Sequence, residues 1–292
     1  VKKEKTREFM VEEQGELLGF LLDRLSNRSR NSVKGIMTRG QVSVNGQAVT
    51  KHNHPLRPGD RVTIHFGMVS AGKKLNGLQI LHEDDDIIVI NKEAGLLSIA
   101  TAKERDLTAY KQLMDHVRSQ NARNRIFIVH RLDRDTSGVM MFAKNEKAKR
   151  LLQSAWQEAV LERTYIALVA GRVEQTKGTM TSWLKETKTY IMVSSKRPGS
   201  GQKAVTHYSV LKSNRAFSLL EVHLETGRKN QIRVHMQDLG HPIVGDKKYG
   251  SKKNVIGRLG LHAQVLAFKH PITGKHLRFE TTIPDKFLQL FG

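Results

Sequence analysis

The chain has 292 residues, with 49 Lys and Arg against 28 Asp and Glu, a net charge of +21. A 38% hydrophobic share excludes wholesale disorder, and the absence of Cys excludes disulfides, thiolate catalysis and Cys-ligated metal. No apolar run is long enough for a transmembrane helix, and a sequence pI near 10.2 points to a polyanionic partner, most simply nucleic acid, with a membrane surface as the other candidate.

The opening VKKEKTREFM lacks the apolar stretch of a secretory signal, and the absence of Cys is compatible with the reducing cytoplasm that is expected as its setting. Leu17, Leu18, Leu21, Leu22 and Leu25 recur at helical spacing and predict a helix with one apolar face. A second short helix is predicted from Ser32 to Thr38, stopped by Gly40. Asn45-Gly46 between short apolar runs predicts a tight hairpin, and Arg57-Pro58-Gly59-Asp60 a turn before the alternating strand RVTIHF. Residues 1–70 therefore read as a small α/β domain, 71–77 as a linker, and 78–292 as a second domain.

From Leu78 the pattern becomes α+β. ILHEDDDIIVINK reads as strand, acidic turn and strand. Ile126–Leu132 and Val139–Lys144 read as strands around a polar loop. Ala148, Leu151, Leu152, Ala155, Trp156 and Ala159 fall on one face of a continuous amphipathic helix. Strands follow near 163–169, 205–212 and 217–225, with a helix from Asn230 to Leu239. Many strands with few helices predict a mixed, mostly antiparallel sheet with flanking helices. The basic, Gly-rich segment Ser195–Lys203 reads equally as a surface arm or an RNA-gripping insertion.

The densest polar cluster is HRLDRDTSG, His130–Gly138. It reads as a solvated loop of self-neutralising charges, as a metal site using His130, Asp133 and Asp135, or as a site where Arg keeps Asp133 ionised for nucleophilic work. In the second cluster, Leu224–Asp246, Ile232, Met236 and Leu239 share one helix face and Lys229, Arg233 and Gln237 another. The second face is either solvent-exposed or aims one Arg at a carboxylate and the rest at phosphates. His235 and His241 are spaced too loosely for a metal pair. Tyr165, in the strand-like RTYIALVAG, is either a core ring or a base-stacking one. Aromatic residues make up only 6%, which disfavours an extended stacking platform.

HRLDRDTSGVMMFAK resembles the HRLDxxTSG signature of the RluA-type pseudouridine synthases. YIALVAG, TGRKNQIRVHMQDLGHPIVGDKKYG and ILHEDDDIIVINKEAGL are similar to further motifs of that family, so the resemblance spans about Leu78–Gly292. Residues 14–66 resemble the S4 RNA-binding domain that precedes the catalytic domain in RluC- and RluD-like members. The resemblance implies a pseudouridine synthase fold and cofactor-free isomerisation of uridine in structured RNA, most readily large-subunit ribosomal RNA. Transfer RNA is an alternative target, and a non-catalytic ribosome-assembly factor an alternative function.

By the same resemblance, Asp133 is the catalytic carboxylate and Arg233 its partner. Tyr165 stacks on the uracil and helps remove its ring proton, and Arg131 fills the gap left by the flipped nucleotide. Arg134, Arg228 and Lys229 are expected on the RNA, as are Arg28, Arg30 and Lys34 of the first domain; no metal is expected. The chain departs from the family pattern at Glu93, usually Pro, with a less rigid turn expected. It departs again at Asn230, usually His. Both are expected to lie outside the four main roles.

Overall fold

The computed structural model describes residues 6–26, 28–38, 40–65, 75–102, 104–250 and 254–292. The linker expected at 71–77 lies mostly outside the described residues. Those described fall into two compact units, one within Val1–Leu75 and Leu113–Arg125, the other within Asn76–Gln112 and Ile126–Gly292.

The first unit contains β1 (Thr6–Met10), β2 (Gly15–Glu16), α1 (Leu17–Arg24), α2 (Arg30–Thr38), β3 (Val42–Val44), β4 (Gln47–Ala48), β5 (Pro55–Leu56) and β6 (Arg61–His65). β1, β6, β3 and β4 form an antiparallel sheet in that order, and β2 pairs with β5. Leu17, Leu21 and Leu25 are buried against Val33, Ile36 and Met37 of α2 and Val42, Val62 and Ile64 of the sheet. Asn45 and Gly46 both have positive φ, 51° and 80°, which gives the twist a two-residue hairpin needs. The Asn45 side chain also ties the hairpin to the next strand, donating to Asp60 Oδ1 and accepting from the Arg61 N–H.

The remaining elements are β7 (Leu78–Glu83), β8 (Ile87–Lys92), α3 (Ala109–Gln120), β9 (Phe127–Ile128), β10 (Ser137–Ala143), α4 (Glu146–Ser154), α5 (Trp156–Ala159), β11 (Val160–Ala170), β12 (Lys177–Glu186), β13 (Met192–Ser195), β14 (Gln202–Ser213), β15 (Phe217–Leu224), α6 (Gln231–Asp238), β16 (Leu261–Lys269), β17 (His276–Glu280) and α7 (Asp285–Leu288). The strands of the second unit make one 11-stranded sheet in the order β13-β12-β14-β15-β11-β16-β10-β8-β7, with β17 beside β16 and β9 beside β10. All pairings are antiparallel except β10 with β16. This is the mixed, mostly antiparallel α+β sheet that the strand-rich pattern predicts. β10 is buried along its whole length, which is why it reads as a continuous apolar run. No helix among the described residues is long and apolar enough to cross a membrane.

Two elements differ from expectation. The strand foreseen over Ile126–Leu132 pairs only at Phe127 and Ile128. Beyond it the His130 Nε2 accepts the Met141 N–H at 3.0 Å, so a side chain takes over where a strand backbone would continue the ladder. The helix foreseen over 148–159 breaks at Ala155, whose φ and ψ are −117° and 32°. The periodicity is nonetheless sound, because Ala148, Leu152, Trp156 and Ala159 share one core cluster across the break. The break sets the Trp156 ring 5.0 Å from that of His130.

Candidate active site

The loop between β9 and β10 carries Asp133, and its backbone is pinned on every side. Ser98 Oγ donates to the Leu132 carbonyl, the Thr136 N–H to that of Asp133, and the Gly95 N–H to that of Arg134. Lys92 Nζ, wholly buried at the end of β8, donates to the carbonyls of Glu93, Leu96 and Arg134 at 2.9, 2.8 and 3.0 Å. Burial pushes the Lys92 amine down to about 7. Three carbonyl acceptors suit the protonated ammonium, since a neutral amine has only two N–H groups to give.

Glu93 was expected to loosen this turn. Instead its N–H donates to the Gly77 carbonyl at 2.7 Å, a bond proline could not make. The loop enters β10 through Gly138, at φ 115°. A Cβ there would stand 2.0 Å from the Ala263 carbonyl oxygen, so only glycine lets β10 run this close beside β16.

Asp133 faces an open pocket of about 390 Å³, lined also by Arg131, Tyr165, Arg228, Lys229, Asn230 and Arg233. Tyr165 comes from the centre of β11, Arg131 from the same loop as Asp133, and the other basic residues from the β15–α6 segment. Arg233 Nη1 donates to Asp133 Oδ2 at 3.2 Å, and Asn230 Nδ2 donates to the same oxygen at 2.5 Å. Oδ1 accepts no hydrogen bond from the described residues. The guanidinium is fixed from behind by Asp246, fully buried, which takes Nε and Nη2 on its two oxygens, both at 2.7 Å. Burial alone would raise the Asp246 pKa. The bond and charge of Arg233, with the N–H groups of Tyr249 and Lys248, instead carry it below the ordinary carboxylate value. The two aspartates hold Arg233 charged despite its burial.

Burial also raises the Tyr165 phenol, only partly countered by Arg163, and nearby Asp133 raises it further. The phenol is therefore held more firmly in its protonated form than a free tyrosine. Arg163 donates Nη2 to the carbonyls of Leu224 and Glu225, bracing the start of the basic segment. Gln231 is buried and uses its whole amide, accepting from Thr226 Oγ1 and the Arg228 N–H and donating to the Val205 carbonyl and Thr206 Oγ1.

The structure thus brings Asp133, Tyr165, Arg233, Arg131, Arg228 and Lys229 together. Arg134 is exposed and outside the pocket lining, with its Nε on the Gly95 carbonyl. Arg28, Arg30 and Lys34 belong to the first unit, at and near the start of α2, the two arginines exposed. His130, Asp133 and Asp135 do not converge as metal ligands. His130 Nε2 is taken by Met141, and burial pushes its imidazole down to about 3. Among the described residues, the group of carboxylates and His with ligand spacing is Asp84, Asp86 and His270, elsewhere on the sheet. His235 and His241 are structural: the first bonds Ser182 and Thr206, the second the Ala170 carbonyl.

Sequence reasoning missed Asn230, Asp246 and Tyr249. Asn230 was placed outside the main roles, yet it touches the Asp133 carboxylate. It sits at φ 53°, just before α6, and makes no capping bond to that helix. Its Oδ1 accepts the Tyr249 hydroxyl at 3.1 Å, and that hydroxyl in turn accepts the Met192 N–H. An Asn preceding a helix at a position that departs from the family pattern was the available signal.

A family model described as RNA pseudouridylate synthase matches residues 86–238, just over half of the chain. The Vibrio cholerae protein named ribosomal large subunit pseudouridine synthase D is 35% identical over 282 residues, covering 90% of this chain and 86% of that protein. The Bacillus subtilis protein named uncharacterized RNA pseudouridine synthase YjbO is 36% identical over 255 residues, covering 86% and 89%. Among solved structures, human RNA pseudouridylate synthase domain containing 1 is similar with a TM-score of 0.59 at 27% identity, over 73% of this chain and 86% of that one. With the fold and the pocket, these matches make the chain a member of the RNA pseudouridylate synthase family, an isomerase that converts uridine in RNA to pseudouridine.

Proposed function

We propose that the chain modifies large-subunit ribosomal RNA, with Asp133 as the catalytic carboxylate. The observation that carries the chemical part is the asymmetry of that carboxylate. Arg233 and Asn230 both hold Oδ2, and Oδ1 is left to the pocket. The reaction breaks the N1–C1′ bond of uridine, makes a C5–C1′ bond and moves one proton from C5 to N1, so nothing is gained or lost. Whether the carboxylate attacks the sugar or the ring, or takes a sugar proton, Oδ1 is the oxygen that acts. A fixed donor pair on its neighbour stabilises the anion without reorganisation during the reaction.

The target base lies inside RNA structure, so it must be everted, at a cost of a few kcal/mol in lost stacking. Tyr165 receives the uracil on its ring, and Arg131, exposed at the rim, fills the vacated position. Arg228 and Lys229 take phosphates. In the first unit, Arg28, Arg30 and Lys34 line one end of α2 as an S4-like RNA grip. The ribosomal target is supported by the relatives named as large-subunit synthases and by the net charge of +21. Asp133→Asn should abolish pseudouridine formation on a large-subunit ribosomal RNA transcript while RNA binding persists. Retained isomerisation would overturn the assignment.

A further inference from the structure

The hairpin joining β12 to β13 ends in Tyr190, whose side chain no role above employs. It is 73% exposed, the most exposed of the large apolar and aromatic side chains among the described residues. Its backbone is left-handed, at φ 61°, a conformation unusual for a bulky residue and held by its surroundings. The Tyr190 N–H donates to the Thr187 carbonyl, and Thr187 closes the loop, its N–H donating to the Ile191 carbonyl and its hydroxyl accepting the Ile191 N–H. Lys248 Nζ donates to the Tyr190 carbonyl at 2.6 Å. Lys229 Nζ lies 6.0 Å from the ring centroid, at the edge of cation–π range, and the same Lys229 lines the catalytic pocket. The ring is thus an outward-facing aromatic surface held in place next to the site.

Three cations stand beside it. Lys229, Lys248 and Arg233 crowd one another, and burial together with the two neighbouring cations lowers the Lys248 pKa. Glu186 on Lys229, with Asp133 and Asp246 on Arg233, answers two of the three, and Lys248 meets no carboxylate among the described residues. The Lys248 ammonium, held by the Tyr190 carbonyl, is the group that favours an incoming anion. An aromatic face beside two ammonium groups matches the two halves of a nucleotide, a base to stack and a phosphate to pair.

We propose that Tyr190, Lys229 and Lys248 form a subsite for a nucleotide flanking the target uridine, the ring stacking on its base and the ammonium groups holding its phosphate. This rests on the reading of the pocket as the uridine site. The test uses the full chain and a transcript of large-subunit ribosomal RNA. Tyr190→Leu, which keeps an apolar side chain but removes the π-face, should raise KM for the transcript about tenfold. Ile272→Ala, an exposed apolar position in the β16–β17 turn, should leave KM unchanged. In a second measurement, the emission of the new indole in Tyr190→Trp should be quenched when the transcript binds. An unchanged KM in Tyr190→Leu, or an unquenched indole, overturns the subsite. Absence of pseudouridine from the unaltered chain would count against the reading of the pocket instead, and the quenching measurement, which needs only binding, would still judge Tyr190.

Discussion

Asp246 clasps Arg233 through both carboxylate oxygens from within the protein, and so fixes the guanidinium that reaches Asp133. One cation is shared by two carboxylates. The inner one is sealed from solvent and serves geometry, while the outer one faces the pocket. Asp246→Asn keeps the shape but leaves the half-buried Arg233 without its main counter-charge. Removing one partner of a buried pair costs about 3–5 kcal/mol, and Asp133 should keep the loss toward the lower end. Urea unfolding measures the stability term. Product formation should fall at least about tenfold as the guanidinium loses its fixed position, because reactivity depends on such alignment.

Asn230 donates to the same oxygen as Arg233. A hydrogen bond to a charged group contributes roughly 1.5–3 kcal/mol, so Asn230→Ala should slow single-turnover isomerisation about 10- to 100-fold. Asn230→Gly separates two explanations. It accepts the φ of 53° freely but has no amide. If donation matters, Gly should be as slow as Ala; recovery of the rate in Gly would show that only the backbone conformation counts.

Gly138→Ala places a methyl 2.0 Å from the Ala263 carbonyl oxygen, at a φ of 115°. No flexible side chain can yield there, since the obstacle is the backbone of β16. Strain at a disfavoured backbone angle alone costs on the order of 1–3 kcal/mol, and separating β10 from β16 adds to it. The variant should be expressed poorly or melt well below the parent. A melting temperature equal to the parent's would contradict the close approach.

His262 sits between Ser137 Oγ and Thr281 Oγ1, and burial, aided by the Arg258 charge, pushes its imidazole from 6.5 down to about 4. The unfolded chain therefore binds one more proton than the native one between those values. Stability from this group is complete above about pH 6.5 and is lost as the pH falls to about 4, by some 3 kcal/mol in all. Urea unfolding at stepped pH should show the decline, and His262→Asn should remove one proton's worth of the slope.

The residues that line the pocket were the legible ones. Asp133, Tyr165 and Arg233 lie in the motifs that carry the family resemblance, beside apolar runs that mark the strands. Their supports were not legible. Asp246 looks like a turn residue until its complete burial is seen, and Lys92 looks like an exposed strand end although its amine is enclosed. Such roles come from contacts across 13 residues for Asp246 and 42 for Lys92, which local spacing does not encode. The same limit applies to β12. Its KGTMTSWLKE is half polar, pairs on both sides, and is mostly exposed or half-buried on its faces, so it has no strong apolar alternation.

The tie made by Lys92 reaches main-chain oxygens alone, at positions 93, 96 and 134. Its strength is therefore indifferent to which amino acids occupy those places. Side chains at these positions can change without loosening the tie, and the loop that carries Asp133 keeps its height above the sheet.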